Sequence, residues 1–270
     1  MIPAYWWDGH PNFGDALTPW LLPKYGILPV HRGAPRARLS GIGSVLEFLP
    51  RSYDGAIWGS GLMLEQPHPL PDASVLAVRG PLTAELIGAQ GPVAFGDPGL
   101  LVARHLRRPE RRWRVGVVPH GHHRGGAELD ELLRKIGPAA QVIDVHQEAA
   151  PAVRQIAACE MVVSTSLHGL ITADAFGIPA FWTMLTPPLT GGDFKFRDYE
   201  AALTPGRTRF VALNEALASA DIEAFASAAP YADVNRISDG LERALESLRS
   251  SPHGFGNASG ASDSREWGGR

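Results

Sequence analysis

The chain has 270 residues, of which 44% are apolar, enough to bury one large core or two modest ones. Its formal net charge of −3 at pH 7 argues against a general nucleic-acid binder, and the lack of a long uninterrupted apolar run excludes a membrane-spanning helix. The single cysteine, Cys159, excludes a disulfide within the chain. Because residues 1–15 also lack the pattern of a signal peptide, we expect a cytoplasmic protein.

Polar residues follow the first predicted elements where short apolar runs end. Asn12 and Asp15 precede a short predicted helix. Asp15 either caps that helix or holds a ligand, and Asn12 is the stronger ligand candidate of the two. The next two apolar runs end in glycine-containing turns, which let a ligand approach the backbone. Ser60 lies in the second turn, and Trp58 before it either stacks on a sugar ring or belongs to the core.

Arg79 lies between a predicted strand that ends at Val78 and a predicted helix that begins at Pro81. Its planar guanidinium suits a phosphate or carboxylate, and a salt bridge is the alternative; we favour the anion. Asp97 follows a further short strand, where it either ties strand ends together or faces the same crevice. Residues 103–114 are basic and break the pattern, which predicts a linker between two domains.

The second half alternates apolar runs with amphipathic segments in the order βαβαβαβ, which predicts a doubly wound parallel sheet. His120 follows the first of these strands. With His122 and His123 it forms a group that could ligate a metal. No further ligand follows at a recognised spacing, so we predict no metal site.

Residues 160–182 carry the strongest site signal. An apolar run leads through three hydroxyl residues to Ser166, Leu167 and His168, which precede a segment with helical spacing. At the carboxyl end of a parallel strand such a loop lies in the ligand crevice, and the helix start favours an anion. His168 is either a packed core histidine or a general acid beside that anion, and its position favours the acid.

After residue 182 the pattern loosens into glycines and prolines. We predict an ordered loop that brings Lys195 and Arg197 toward the crevice. The alternative is a surface loop in which these cations pair with Asp193 and Asp198.

The spacing of apolar residues at 233–250 predicts an amphipathic helix. From residue 251 onward the composition is rich in glycine and serine, which predicts a disordered tail at 251–270. The apolar face of the helix is formed by Ile237, Leu241, Leu245 and Leu248.

Taken together and in order, these motifs resemble those of the polysaccharide pyruvyl transferase family, and the FKFRDY segment at 194–199 is similar to the bacterial exopolysaccharide ketal-pyruvate branch. Each motif alone is weak, whereas the ordered set is specific. The segments that carry the resemblance are Asn12–Asp15, Gly41–Ser44, Trp58–Gly61, Val78–Pro81, Gly96–Pro98, Pro119–Gly121 and Ser166–Gly169.

The resemblance implies an α/β fold with two Rossmann-like domains in a glycosyltransferase-B-like arrangement. We place an acceptor-side domain at 1–105 and a donor-side domain at 106–250. It also implies phosphoenolpyruvate as donor and a glycan acceptor that is free or lipid-linked. The chemistry of this transfer requires no cofactor. The basic and aromatic residues at 103–114 predict at most peripheral contact with the inner face of a membrane, and a solvated linker is the favoured alternative.

In the family an Arg-Leu-His segment contacts the donor, and here it reads Ser166-Leu167-His168. The histidine carries over and the arginine does not. We expect Arg79, Lys195 or Arg197 to supply the missing charge.

Forming a pyruvate ketal requires a general acid and cationic anchors for phosphate and carboxylate. His168 is our candidate acid, and His120 a second group that handles protons or contacts phosphate. We expect Asn12, Asp15, Trp58 and Ser60 on the acceptor side. The alternatives are a nucleotide-sugar-dependent glycosyltransferase of the same fold and a non-catalytic glycan-binding module.

Overall fold

A computed structural model describes residues 1–250, and the tail predicted at 251–270 lies outside the described residues. The strands of the described part are β1 (Ile2–Tyr5), β2 (Pro29–His31), β3 (Leu39–Ser40), β4 (Ala56–Trp58), β5 (Ser74–Val78), β6 (Ala94–Phe95), β7 (Trp113–Val118), β8 (Ala140–Val142), β9 (Cys159–Ser164) and β10 (Ala180–Trp182). Its α-helices are α1 (Leu17–Leu21), α2 (Pro81–Ile87), α3 (Val102–His105), α4 (Ala127–Ile136), α5 (Ala149–Ala157), α6 (Leu167–Ala175), α7 (Phe194–Leu203), α8 (Leu213–Ala218) and α9 (Tyr231–Ser250).

The strands form two parallel sheets. The first has six strands in the order β2-β1-β3-β4-β5-β6, and the second has four in the order β10-β9-β7-β8. Every strand pair within the two sheets is parallel. The expected α/β class with Rossmann-like parallel sheets is thus confirmed, as is the βαβαβαβ order of the second half.

Each sheet has a point where the strand order reverses direction. The chain leaves β1 for β2 on one side and returns to β3 on the other, and in the second sheet β7 lies between β8 and β9 in the same way. Loops that follow the two strands at such a point diverge and leave a crevice at the carboxyl ends. The crevice between β7 and β9 receives the loops that carry His120 and His168.

The local sequence explains several boundaries. Pro81 takes the first turn of α2, where its missing N–H costs nothing, and Gly88 ends that helix with a left-handed φ of 69°. In α9 the predicted apolar face is buried, with Ile237 at 4% and Leu241 at 0% exposure. This face packs on β4, β5 and β6, so the last helix returns to the first sheet.

Two sequence predictions about connections are wrong in detail. The linker predicted at 103–114 overlaps α3 at one end and β7 at the other. The loop predicted around Lys195 and Arg197 is the helix α7, because Phe194, Phe196 and Tyr199 bury an apolar face that the preceding glycines and prolines disguise.

A buried ion pair fixes α7 against the first sheet. Arg79 and Asp198 are both 0% exposed, and Arg79 Nε donates to Asp198 Oδ2 at 2.9 Å. Thr83 on α2 donates to the same carboxylate through its backbone N–H (2.9 Å) and its hydroxyl (2.6 Å). Arg79 also donates to the Ser44 hydroxyl (2.6 Å) and the Leu62 carbonyl (2.5 Å). Each buried charge therefore has several hydrogen-bond partners, as burial requires.

A second buried network fixes α7 against α6. Tyr199 donates to Asp174 Oδ2 at 2.8 Å, and Arg209 donates to the same carboxylate at 2.9 Å. Arg209 also contacts Glu200 at 3.2 Å. Consecutive residues 198–200 of α7 thus connect the helix to both halves of the molecule.

Within residues 1–250, no helix is both long enough and apolar enough to cross a membrane.

We predict that Asp198→Ala lowers the free energy of unfolding by about 3–5 kcal/mol, because it leaves the Arg79 guanidinium buried without its counter-charge. The matched control is Glu65→Ala, which removes an exposed partner of Arg197 and changes the same quantity by about 1 kcal/mol or less. Denaturant unfolding measures both. Equal small losses in the two variants would contradict the role given to the buried pair.

Candidate functional site

One cavity of about 210 Å³ collects most of the predicted site residues. Loops after β1, β3 and β4 line one side, and loops after β7, β9 and β10 line the other, together with the start of α6 and one residue of α7. Both points of strand-order reversal therefore open into the same space. The predicted site residues in its lining are Asn12, Asp15, His120, Ser166, Leu167, His168 and Lys195.

His168 lies at the start of α6 and is 9% exposed. Its Nε2 is sealed from solvent and faces Asp97 Oδ2 at 3.6 Å, longer than a direct hydrogen bond. Neither of these two atoms has another hydrogen-bond partner. Asp97 is itself fixed, since its Oδ1 accepts from the Gly99 N–H at 2.8 Å. Because Nε2 faces the buried Asp97 carboxylate, Nδ1 is the ring nitrogen left for the cavity that His168 lines.

Gly14 holds the other side of the imidazole. A Cβ at this position would overlap the His168 ring at Nδ1, so only glycine admits the observed packing. Asn12 Oδ1 accepts from the Gly14 N–H at 2.9 Å and fixes the loop. The loop also pairs with the second half of the chain, because Phe13 N–H donates to the Val145 carbonyl at 2.8 Å.

Lys195 projects from α7 into the cavity. Within residues 1–248, its ammonium has no ion pair and no hydrogen bond. Burial lowers the pKa of Lys195 to about 8, and the positive charge of Arg79 adds to this, while Asp15 opposes it. A cation in this setting gains stability from a bound anion.

His120 is neutral in this site. Burial lowers the pKa of His120 to about 3, with the charge of Lys195 and neighbouring histidines adding to the effect. Its Nδ1 accepts from the His122 N–H at 3.3 Å, which leaves Nε2 as the protonated nitrogen. Thr165 fixes the loop by accepting from the His120 N–H at 2.8 Å. The geometry therefore favours His120 as a hydrogen-bond donor to an anion over His120 as an acid.

The start of α6 adds further donors. Ser166 is its N-cap residue and makes no side-chain cap, so the hydroxyl is available to the cavity. The first N–H groups of a helix have no acceptor within the helix. They favour an anion at this end, which Ser166, Leu167 and His168 border.

Trp58 and Ser60 lie outside the cavity lining. Trp58 is fully buried and donates to the Leu241 carbonyl at 2.9 Å, and the Ser60 hydroxyl bonds to that of Ser40 at 2.9 Å. An aromatic wall in the cavity is instead formed by Trp7 and Phe48, whose rings stack 5.3 Å apart. Their positions after β1 and β3 give no sequence signal stronger than that of Trp58.

Arg79 and Arg197 also lie outside the lining. The Arg79 donors are engaged by Asp198, Ser44 and Leu62, as described above. Arg197 is exposed and pairs with Glu65 and Asp193, which is the surface alternative foreseen for it. Of the three cations expected to replace the missing arginine, Lys195 is thus the one that the fold brings to Ser166.

In the described part of the chain, no group of three or more histidine, cysteine or acidic side chains is arranged to hold a metal ion. His123 is buried and engaged by Thr165 at 2.7 Å and by the Pro187 carbonyl at 3.1 Å.

Comparison with known proteins agrees with these features. Residues 61–184 match the model of the family described as polysaccharide pyruvyl transferase. Over 217 residues the chain is 33% identical to the succinoglycan biosynthesis protein ExoV of Rhizobium meliloti (strain 1021), an alignment that covers 75% of this chain. The chain belongs to the polysaccharide pyruvyl transferase family. The family predicted from the ordered motifs is thereby confirmed.

A second similar protein is the uncharacterized protein L143 of Acanthamoeba polyphaga mimivirus, which is 31% identical over 153 residues, or 53% of this chain. The alignments cover 65% of the Rhizobium protein and 53% of the mimivirus protein, so this pyruvyl transferase family member spans less than two thirds of either relative.

The sequence did not predict which residue contacts His168 in this family member. Asp97 was predicted either to tie strand ends together or to face the crevice, but its contact with His168 was not predicted. Its partnership with His168 joins residues 71 positions apart and has no local signal.

We predict that Lys195 binds oxyanions in this cavity, measured with sulfate because its charge is constant over the pH range used. The sulfate affinity of the wild-type protein falls as the pH rises through about 8, since Lys195 loses its proton there. Lys195→Met binds sulfate about tenfold more weakly at pH 7 and shows no fall near pH 8.

The matched control is Lys135→Met, an exposed lysine of α4 outside the cavity, which retains wild-type affinity and pH dependence. Titration calorimetry measures all three proteins. Wild-type affinity in Lys195→Met would remove the lysine from the site.

Proposed function

We propose that this protein transfers the pyruvyl group of phosphoenolpyruvate to two hydroxyls of a glycan acceptor and forms a pyruvate ketal in exopolysaccharide biosynthesis. The family match and the similarity to a succinoglycan biosynthesis protein support the polysaccharide role. The observation that carries the donor assignment is the Lys195 ammonium, which within residues 1–248 has no ion pair and no hydrogen bond. It lies in one cavity with His168, which faces Asp97, and with the start of α6.

Phosphoenolpyruvate carries a phosphate and a carboxylate, and the cavity offers separate donors for two anionic groups. Lys195 and the neutral Nε2–H of His120 lie in the same lining. Ser166 and the first N–H groups of α6 form a second set. Lys195 takes the place of the arginine of the Arg-Leu-His segment, since Arg79 and Arg197 are engaged elsewhere.

The reaction needs a proton on the methylene carbon of the donor. Protonated His168 delivers it from Nδ1, and the buried Asp97 carboxylate stabilises the ring while it carries the positive charge. The first acceptor hydroxyl then adds to the cationic C2, and the second hydroxyl replaces phosphate. Two hydroxyl protons are released, of which one restores His168 and the other leaves with hydrogen phosphate, so the step balances.

The acceptor side is formed by Trp7 and Phe48 together with Asn12 and Asp15. A stacked aromatic pair at the cavity suits the apolar face of a sugar ring, while the polar residues suit its hydroxyls. The acceptor is a glycan, free or lipid-linked.

We further propose that the two sheets belong to two domains in a glycosyltransferase-B-like arrangement, divided near residue 105, with α9 returning to the first domain. The shared cavity at the carboxyl ends of both sheets supports this arrangement. We also propose that the reaction takes place in the cytoplasm, where phosphoenolpyruvate is available.

The deciding experiment supplies purified protein with phosphoenolpyruvate and a mannosyl or galactosyl glycan. We expect phosphate release coupled to ketal formation, and His168→Ala lowers turnover by about a hundredfold or more with the fold retained, because it removes the acid.

The matched control is His68→Ala, which removes a histidine that contacts the Leu49 carbonyl outside the cavity and leaves turnover unchanged. Turnover with a sugar nucleotide and none with phosphoenolpyruvate would establish the glycosyltransferase alternative. Glycan binding without turnover of either donor would establish the binding module.

A further inference from the structure

Asp15 is a buried carboxylate without a protein partner. It is 8% exposed and lines the cavity, and within residues 1–248 its side chain makes no hydrogen bond and no ion pair. The helix-cap alternative raised by the sequence is wrong: α1 has Ala16 at its N-cap and no side-chain cap, and Asp15 contributes only its backbone carbonyl, to the Thr18 N–H at 3.2 Å. The contacts of the described residues therefore give the Asp15 carboxylate no structural role.

The surrounding loops leave room for this carboxylate and keep it in place. Gly43 has a φ of 119°, which favours glycine, and a Cβ there would lie 2.5 Å from Asp15 Oδ1. Gly14, the preceding residue, packs against the His168 ring. Both glycines serve the same corner of the cavity, where Asp15 and the candidate acid meet.

Charged groups from every neighbouring element act on Asp15. Burial raises the pKa of Asp15 to about 6, and Asp97 adds to this, while His168 on α6 and Lys195 on α7 act in the opposite direction. Tyr5 on β1 is the remaining titratable neighbour, and its own pKa is raised by burial and by the charges of Asp8 and Asp15. Near neutral pH the Asp15 carboxylate is ionised yet more basic than an ordinary one.

We propose that Asp15 is the general base that accepts the proton of the acceptor hydroxyl as its oxygen forms the bond to C2 of the donor. This inference rests on the proposed function and adds a catalytic role to a residue assigned above only to acceptor binding. The carboxylate gains the hydroxyl proton and becomes a neutral acid. It then passes that proton to His168 or to the departing phosphate, so that protons balance over one turnover.

Lys195, His120 and His168 are unsuited to take this proton. Lys195 is protonated below about pH 8, and it is required in that form to hold the anion. His120 has a pKa of about 3, which makes it a poor base. His168 must carry a proton to act on the methylene carbon. Asp15 lines the cavity with a carboxylate that makes no side-chain hydrogen bond or ion pair within residues 1–248, and its pKa of about 6 lies near the working pH.

The test uses Asp15→Asn in the 270-residue chain, because the amide keeps the size and the hydrogen bonding to a hydroxyl but cannot accept its proton. We expect kcat to fall about a hundredfold or more, while the KM for the acceptor changes by less than about threefold. In the wild-type protein kcat falls as the pH drops through about 6, since Asp15 becomes protonated. The variant lacks this fall.

Asp130→Asn, an exposed aspartate of α4, is the matched control and keeps both kcat and the acidic fall. A raised acceptor KM with an unchanged kcat in Asp15→Asn would show a binding role and overturn the inference. If the wild-type protein does not turn over phosphoenolpyruvate at all, the proposed function fails instead. The two failures are therefore distinguishable.

A second variant covers the case in which Asp15→Asn folds poorly. In Asp15→Ala, which opens space beside the acceptor, added formate restores part of the lost kcat because it supplies a small external base. No rescue over a range of formate concentrations, with the variant folded, contradicts the base role.

Discussion

The ion pair between Arg79 and Asp198 is the contact on which the site depends most. It buries two opposite charges at 0% exposure and joins residues 119 positions apart in the chain. Its partner network through Thr83 and Ser44 ties α7 to the first sheet, while Tyr199 and Glu200, the next two residues of α7, tie it toward α6. A helix held at consecutive positions in this way can keep a lysine in a cavity without a counter-ion of its own.

The same constraint sets the electrostatics of the cavity. Burial and, to a smaller extent, the charge of Arg79 lower the pKa of Lys195, so its ammonium gains stability from a bound anion. On the opposite side, Asp15 and Asp97 supply negative charge near His168. The Lys195 ammonium and the Asp15 carboxylate thus line the same cavity as His168, which suits a reaction that moves protons while an anion is bound.

The strand-order reversals explain why distant segments meet. Loops after β1 and β3 and loops after β7 and β9 all leave carboxyl ends of parallel strands, and the contact of Gly14 with the His168 ring joins the two sets. The sequence predicts this meeting of loops. Apolar runs that end in glycine or hydroxyl residues indicate strands, and the loops that follow such strands are expected to lie in one crevice.

Much of the fold could be predicted because its signals are local. The pattern at 160–182 correctly predicts β9, α6 and β10, and the apolar spacing of α9 predicts its buried face. Seven predicted site residues line the cavity for the same reason, since each follows a strand or opens a helix.

The roles of other side chains could not be predicted, because their partners lie far away in the sequence. Nothing near Arg79 reveals that Asp198 neutralises it, and nothing near Trp58 reveals that Leu241 accepts its N–H. The segment before α7 was predicted as a loop because its glycines and prolines disguise the apolar face that Phe194, Phe196 and Tyr199 bury. A long-range contact decides in each case whether a polar or aromatic side chain faces ligand or core.

The central claim is that this cavity protonates the donor at carbon and expels phosphate. It is tested most directly by running the reaction in D₂O with phosphoenolpyruvate and a glycan acceptor and analysing the product by mass spectrometry and NMR. The account predicts a ketal whose methyl group carries one deuterium, with one phosphate released per pyruvyl group transferred. A product that retains the phosphate, or an enol ether with its methylene group intact, would contradict it.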